Sequence, residues 1–296
     1  MKIRALAPWY GSKRTLAPRI VAELGPHGFY VEPFCGSLAV LLAKPIAGME
    51  TANDLHQDLV NLARVLASDR AVELYARASR MLMHETVHAE CKERVISAPC
   101  EPAPSIDDVS DAALARALDY LVMSWQGRNG SAGTKPGNIT IARRFTSNGG
   151  SGGLRWSSAV ESIPAWHERL RRVSITSMDA FELIERLEDA EGTVLYVDPP
   201  YLRKSDSYIH DLEDADHRRL ADQLGKFKRT RVVLSYYDEP ELRAMYEGWT
   251  WIDCPVTKGL VNQGARDGET DAVAPEVLII NGESRTSGGL FGGGHG

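Results

Sequence analysis

The 296-residue sequence predicts an α/β protein, with a mostly parallel sheet wound by helices on both faces and one long insertion. Three observations carry the prediction. Short apolar, β-branched runs alternate with stretches of helical spacing in residues 1–66 and 173–283. Residues 193–197 are such a run and end abruptly in Asp198-Pro199-Pro200-Tyr201. Residues 29–43 read as strand, glycine turn and helix, the order that brings backbone close to a nucleotide in sheets of this kind.

The first helix is expected from about residue 15 to 24, where Gly25-Pro26 ends it. A buried strand at 29–32 runs into Pro33-Phe34-Cys35-Gly36-Ser37, and an apolar helix follows at 38–43. The next strand, 49–54, ends in Asp54, about 20 residues past the glycine turn, a spacing at which an acid can bind ribose hydroxyls. The same residue could cap the helix expected at 55–66, and both roles can hold, since cap and ribose ligand occupy the same edge. One helix is expected from 69 to about 95, a proline-rich loop at 97–105, and a helix from 111 to 125 capped by Ser110. Strands are then expected at 173–178, 193–197, 231–235, 249–254 and 276–280, with helices at 180–187 and 215–227. Residues 284–296 are glycine-rich and read as a flexible tail.

The turn at 198–201 carries the clearest chemistry. Proline cannot donate to a sheet ladder, so the strand stops there, and each residue before a proline is held extended. Asp198 supplies a carboxylate acceptor, the turn carbonyls can point outward, and Tyr201 supplies a ring face. Such a site can hold both hydrogens of a planar exocyclic amine. Lys13, in Trp9-Tyr10-Gly11-Ser12-Lys13, could meet a carboxylate or a phosphate, although an isolated lysine is more often solvated.

The formal net charge of −6 argues against nucleic-acid affinity by bulk charge, so any such site must be a local basic patch. The insertion, 67–172, contains one: Arg128, Asn129, Lys135, Asn138, Arg143 and Arg144, extended by Arg155, Arg169 and Arg171. Arginine and asparagine can read guanine and adenine edges, and a solvated loop is the plainer alternative. The four cysteines form no Cys-x-x-Cys pair, so no metal or redox centre is expected and a reducing cytoplasm is the simplest setting. No apolar run is long enough to span a membrane, and no secretory signal opens the sequence.

Taken together, these residues resemble the Dam-type, or alpha-group, adenine-N6 DNA methyltransferases. Trp9-Tyr10-Gly11-Ser12-Lys13 is similar to that family's N-terminal cofactor motif, Glu32-Pro33-Phe34-Cys35-Gly36 to its main S-adenosylmethionine loop, and Asn53-Asp54-Leu55 to its ribose motif. Asp179 falls where the family holds the cofactor's adenine, Asp198-Pro199-Pro200-Tyr201 resembles the catalytic motif, and Asp216-His217 with Leu220-Ala221 resembles a later helix signature.

The resemblance implies a Rossmann-like methyltransferase fold with a final antiparallel strand. The insertion would be a helical and loop target-recognition region, and methyl transfer from S-adenosylmethionine would go to a flipped-out adenine in double-stranded DNA. It implies a bacterial or phage-encoded protein acting in the cytoplasm, and admits a cognate restriction endonuclease as partner. Two departures stand out: Leu38 replaces the loop's usual second glycine, which leaves open a tighter loop or a shifted, more weakly held cofactor, and Tyr236-Tyr237-Asp238 fits its motif loosely. The turn by itself leaves open methylation of RNA adenine or protein glutamine, and Leu38 leaves open a non-catalytic, cofactor-sensing or DNA-binding relative.

Overall fold

A computed structural model describes residues 5–100, 109–128, 131–143, 151–202, 212–254, 256–257 and 273–286. Its strands are β1 (Phe29–Glu32), β2 (Met49–Asn53), β3 (Ser174–Thr176), β4 (Thr193–Val197), β5 (Arg231–Tyr237), β6 (Thr250–Asp253), β7 (Val256–Thr257), β8 (Val273–Ala274) and β9 (Glu276–Ile280). The helices are α1 (Ala17–Leu24), α2 (Ala39–Ala43), α3 (Gln57–Ala67), α4 (Ala71–Ala78), α5 (Glu85–Ser97), α6 (Asp111–Gln126), α7 (Gly152–Leu170), α8 (Ala180–Glu185), α9 (Asp214–Leu224) and α10 (Pro240–Met245).

Seven strands form one sheet in the order β3-β2-β1-β4-β5-β9-β6. Strands β1 to β5 pair in parallel, and β9 runs antiparallel between β5 and β6. This is the Rossmann-like methyltransferase fold expected from the sequence, with its antiparallel strand. Alternation along each strand sorts side chains between two layers. Tyr30, Val194, Tyr196 and Val233 face one core with α1, α3, α6 and α7. Val31, Leu195, Val197 and Leu234 face the other, against Phe181 of α8 and Leu220 and Leu224 of α9. The strand order reverses beside β1 and β4, so the carboxyl ends of these two strands flank the crevice where open α/β sheets bind ligands.

Among the described residues, 67–172 do not build a core of their own. Leu74 of α4, Cys91 and Val95 of α5, Leu121 of α6, and Trp156 and Trp166 of α7 join the core on the first sheet face. The single helix expected from 69 to 95 is two, because the carbonyls of its middle are used elsewhere. Leu82 O accepts from Gln126 Nε2 at 2.9 Å and Met81 O from Trp156 Nε1 at 2.9 Å. His84 then caps α5, its ring nitrogen accepting from Thr86 N–H. Helix α7 lies in the part of the insertion where no individual helix was assigned from sequence; Ser151 caps it and Pro164 is carried within it.

The expected tail at 284–296 starts with three residues that are tied down. The buried carboxylate of Glu23 accepts from Ser284 Oγ at 2.8 Å, Arg285 N–H at 2.9 Å and Thr286 N–H at 3.1 Å, and pairs with Arg231 at 3.1 Å. Among the described residues no helix is long and apolar enough to cross a membrane.

Candidate active site

The polypeptide leaves β4 into Asp198-Pro199-Pro200-Tyr201, and the surrounding strands supply the partners. Asp198 Oδ1 lies 2.9 Å from Lys13 Nζ and 2.8 Å from Ser235 Oγ, on neighbouring β5. Ser235 is in turn fixed by the buried Tyr196 hydroxyl at 2.9 Å. The Tyr201 hydroxyl is 3.1 Å from Glu276 Oε2, on β9, and 3.5 Å from Asp198 Oδ1. Its ring meets Tyr237 edge-on at 4.6 Å and Tyr236 at 5.3 Å, and Lys13 Nζ stands 5.0 Å from its centre.

Lys13 is only 6% exposed, not solvated. Gly11, in the left-handed region at φ 70°, turns its carbonyl to within 2.9 Å of the ammonium, and Glu276 Oε1 lies at 3.7 Å. Lys13, expected among the cofactor ligands, sits on the catalytic-motif acid. Burial pushes the Glu276 carboxyl up, the charge of Lys13 opposes this, and that of Asp198 adds to it. Glu32, at the end of β1, is fully buried and accepts from Tyr30 OH at 2.8 Å. Desolvation, with a contribution from Asp198, pushes it up to about 8, so it is largely neutral at pH 7 and can donate a hydrogen bond.

A second cluster lies beside the first, at the ends of β1 and β2. Asp54 Oδ2 accepts from Gly36 N–H at 2.8 Å, and its Oδ1 from His56 N–H at 2.9 Å. Asp54 therefore does not cap α3; His56 does, with its ring nitrogen accepting from Leu59 N–H at 3.2 Å. The Trp9 indole is packed against Gly36 and Gly133, where a Cβ would come within 3.1 Å and 2.5 Å of it, and meets the His56 ring edge-on at 5.2 Å. Leu38 takes the left-handed conformation, φ 59°, that a glycine adopts without steric cost. Full burial of its side chain, worth roughly 1.5–3 kcal/mol, offsets a backbone cost of roughly 1–2 kcal/mol. Leu38 thus takes the left-handed backbone that a glycine would adopt at this turn.

Asn53 ties these strand ends together. Its Nδ2 donates to Pro33 O and Met178 O, each at 3.0 Å, and its Oδ1 accepts from Met178 N–H at 2.9 Å. Asp179, exposed beyond β3, caps α8 by accepting from Phe181 N–H at 2.9 Å. Phe34 packs at the edge of the second core and Tyr10 is exposed. These groups form a shelf of acids and aromatic rings along the carboxyl edge of β1, β2 and β3, which suits a ligand carrying a ribose and a planar base.

The basic segment meets this shelf through a bridge between Trp9 and Ala132, with Tyr10 N–H donating to Ala132 O at 2.8 Å. Gly127 and Ile141 pair across a second bridge. Arg128, Lys135, Asn138 and Arg143 are exposed in this segment; Asn129 and Arg144 lie outside the described residues. Arg128 and Arg143 line a cleft of about 420 Å³ with Lys92 of α5, and Arg143 is paired with the exposed Glu85 at 2.5 Å. Two arginines counted with this patch turn inward, Arg155 half-buried and Arg169 buried. Arg155 donates to the carbonyls of Trp125 and Gly127 at the end of α6, and buried Arg169 pairs with Glu50.

Ser235, Glu276, Asn53 and His56 were not expected in the site, and only Asn53 stood within a motif. The sequence model of a family described as D12 class N6 adenine-specific DNA methyltransferase matches residues 9–258. A retron Ec67 DNA adenine methylase from Escherichia coli is 24% identical over 279 residues, covering 93% of this chain and 90% of that protein. The solved structure of the rRNA methyltransferase aviRa from Streptomyces viridochromogenes covers 91% of this chain and 84% of its own, at 15% identity and a TM-score of 0.38.

Proposed function

Given that the chain belongs to the D12 class N6 adenine-specific DNA methyltransferases, enzymes that methylate DNA adenine with S-adenosylmethionine as donor, we propose that the turn at 198–201 receives the N6 amine of a flipped-out adenine. The observation that carries the proposal is the convergence of Lys13, Ser235 and Tyr201 on the Asp198 carboxylate at the end of β4. The target nitrogen is buried in duplex DNA, so the base must leave the stack to reach this turn. Asp198 and the Pro199 carbonyl accept the N6 hydrogens, which weakens delocalisation of the lone pair into the ring, and Pro200 stiffens the turn. Tyr201 stacks on the base. When bound, the donor would supply a methyl group on sulfur, and the residues at the ends of β1, β2 and β3 would hold it.

Trp9, Tyr10, Gly11, Glu32, Pro33, Phe34, Gly36, Asp54 and Asp179 are the residues we assign to the donor. Asp54 would hold the ribose and Asp179 the adenine. Asp54→Ala is expected to weaken S-adenosylmethionine binding by about 1–3 kcal/mol. It should also lower the melting temperature, because the N–H groups of Gly36 and His56 lose their acceptor. Calorimetric titration and a thermal scan check both; a lower melting point with unchanged affinity would leave Asp54 a purely structural role.

The segment at 126–142 is assigned to DNA, together with Arg144. Arg128→Ala/Arg143→Ala is expected to weaken duplex binding and to reduce the slope of log affinity against log salt by about two if both meet phosphates. If one reads a base, the loss of about 1–3 kcal/mol concentrates at one position of the recognition site. Donor affinity stays unchanged. Expression in a bacterial host followed by single-molecule sequencing of its DNA tests the function: one short motif should carry N6-methyladenine. An unmodified genome, or modification at cytosine, would refute it.

A further inference from the structure

Glu276, like Ser235, belongs to the catalytic cluster but to none of the motifs read in the sequence. It comes from β9, the antiparallel strand, where pairing sets it opposite Tyr237. Its carboxylate is 10% exposed and faces the same two groups as Asp198: Lys13 Nζ at 3.7 Å and the Tyr201 hydroxyl at 3.1 Å. Two carboxylates thus flank one ammonium.

In the arrangement described, Lys13 lies on Asp198, the acceptor the amine needs. That is unfavourable for transfer in two ways. The ammonium competes for the carboxylate, and its charge opposes the positive charge that grows on N6 as nitrogen attacks the methyl carbon and the carbon–sulfur pair returns to sulfur. A shift of about 1 Å toward Glu276 would bring Lys13 to the 2.7–2.9 Å of a charge-assisted hydrogen bond and release Asp198.

We propose that Glu276 is a positioning residue that takes Lys13 from Asp198 when the target amine enters, so that the second carboxylate sets the catalytic one free. This rests on the assignment of Asp198 as the amine acceptor. With Asp198 and Glu276 ionised and Lys13 protonated, the three groups carry a net charge of −1, which suits a cation forming on N6. Burial raises the Glu276 carboxyl, and the charge of Lys13 counters that rise.

The test is single-turnover methylation of duplex DNA at saturating donor, with donor and DNA affinities and the melting temperature measured for each protein. Glu276→Gln keeps the shape and an acceptor for Tyr201 but leaves Lys13 on Asp198. Its transfer rate should fall about 10–100-fold, with both affinities nearly unchanged. Lys13→Met/Glu276→Gln restores the net charge of −1 and should transfer about tenfold faster than Glu276→Gln alone, a rescue that a merely structural role cannot give. Glu276→Asp, which keeps the charge, should lie between wild type and Glu276→Gln. A wild-type rate in Glu276→Gln, or no gain in the double variant, overturns the inference; loss of transfer in Asp198→Ala would then still support the amine site. A wild-type rate in Asp198→Ala overturns both.

Discussion

Asp198→Ala is expected to abolish methyl transfer, by roughly three orders of magnitude or more, with the fold retained. The acid sits past the end of β4, and its side chain is 20% exposed, so no core packing is lost. Lys13 retains the Gly11 carbonyl and Glu276 as partners, which limits the stability cost. The defect should appear in the chemical step: donor affinity holds, duplex affinity holds, and the single-turnover rate collapses. Asp198→Asn keeps an acceptor without the charge and should retain more activity than the alanine variant. Rapid-quench methylation with matched binding curves checks this, and a rate near wild type in Asp198→Ala would contradict the assigned role.

The largest effect on stability is expected from Arg169→Ala. Arg169, in the last turn of α7, reaches Glu50 of β2 with two nitrogens at 2.5 and 2.8 Å and donates to Leu41 O at 2.9 Å. Lys44 completes the buried cluster on the same carboxylate. Truncating the arginine leaves buried Glu50 with only Lys44 and the Ala47 N–H, at 3.2 Å, as partners, at a cost of roughly 3–5 kcal/mol. Urea unfolding should show it, and Lys44→Met/Glu50→Leu/Arg169→Met should recover most of it.

The pH dependence follows from Glu50. Burial alone would raise its carboxyl, but the hydrogen bonds from Arg169 and Lys44 hold it below its ordinary value. A lowered carboxylate contributes stability above its unfolded pKa of about 4.3 and loses it as pH falls through the folded value. The difference between wild type and Arg169→Ala should therefore narrow in acid. A gap independent of pH would mean that the loss is one of packing only.

The turn at 198–201 and the glycine loop were legible because each is contiguous: its proline, glycine and acid act through their own backbone. What surrounds them is set by strand register. Ser235 reaches Asp198 because β5 pairs beside β4, and Glu276 reaches Tyr201 because β9 closes on β5. No local pattern encodes either contact. Lys13 was readable as a lysine beside a turn but not as buried, since its partners come from two distant strands. The basic segment shows the opposite error. Arg155 and Arg169 share its composition, yet α7 turns them inward to carbonyls and to Glu50, while Arg128 and Arg143 stay on the surface. Composition gives charge along the chain, and only the packing of α7 decides which charges face water.

The most direct test of the account supplies the purified protein with isotope-labelled S-adenosylmethionine and, in parallel, duplex DNA, RNA of the same sequence, and protein, then identifies the labelled product by mass spectrometry. The account predicts label in N6-methyladenine of the duplex, absent with Asp198→Ala. Label on cytosine, on RNA adenine or on protein glutamine, or a labelled duplex with Asp198→Ala, would contradict it.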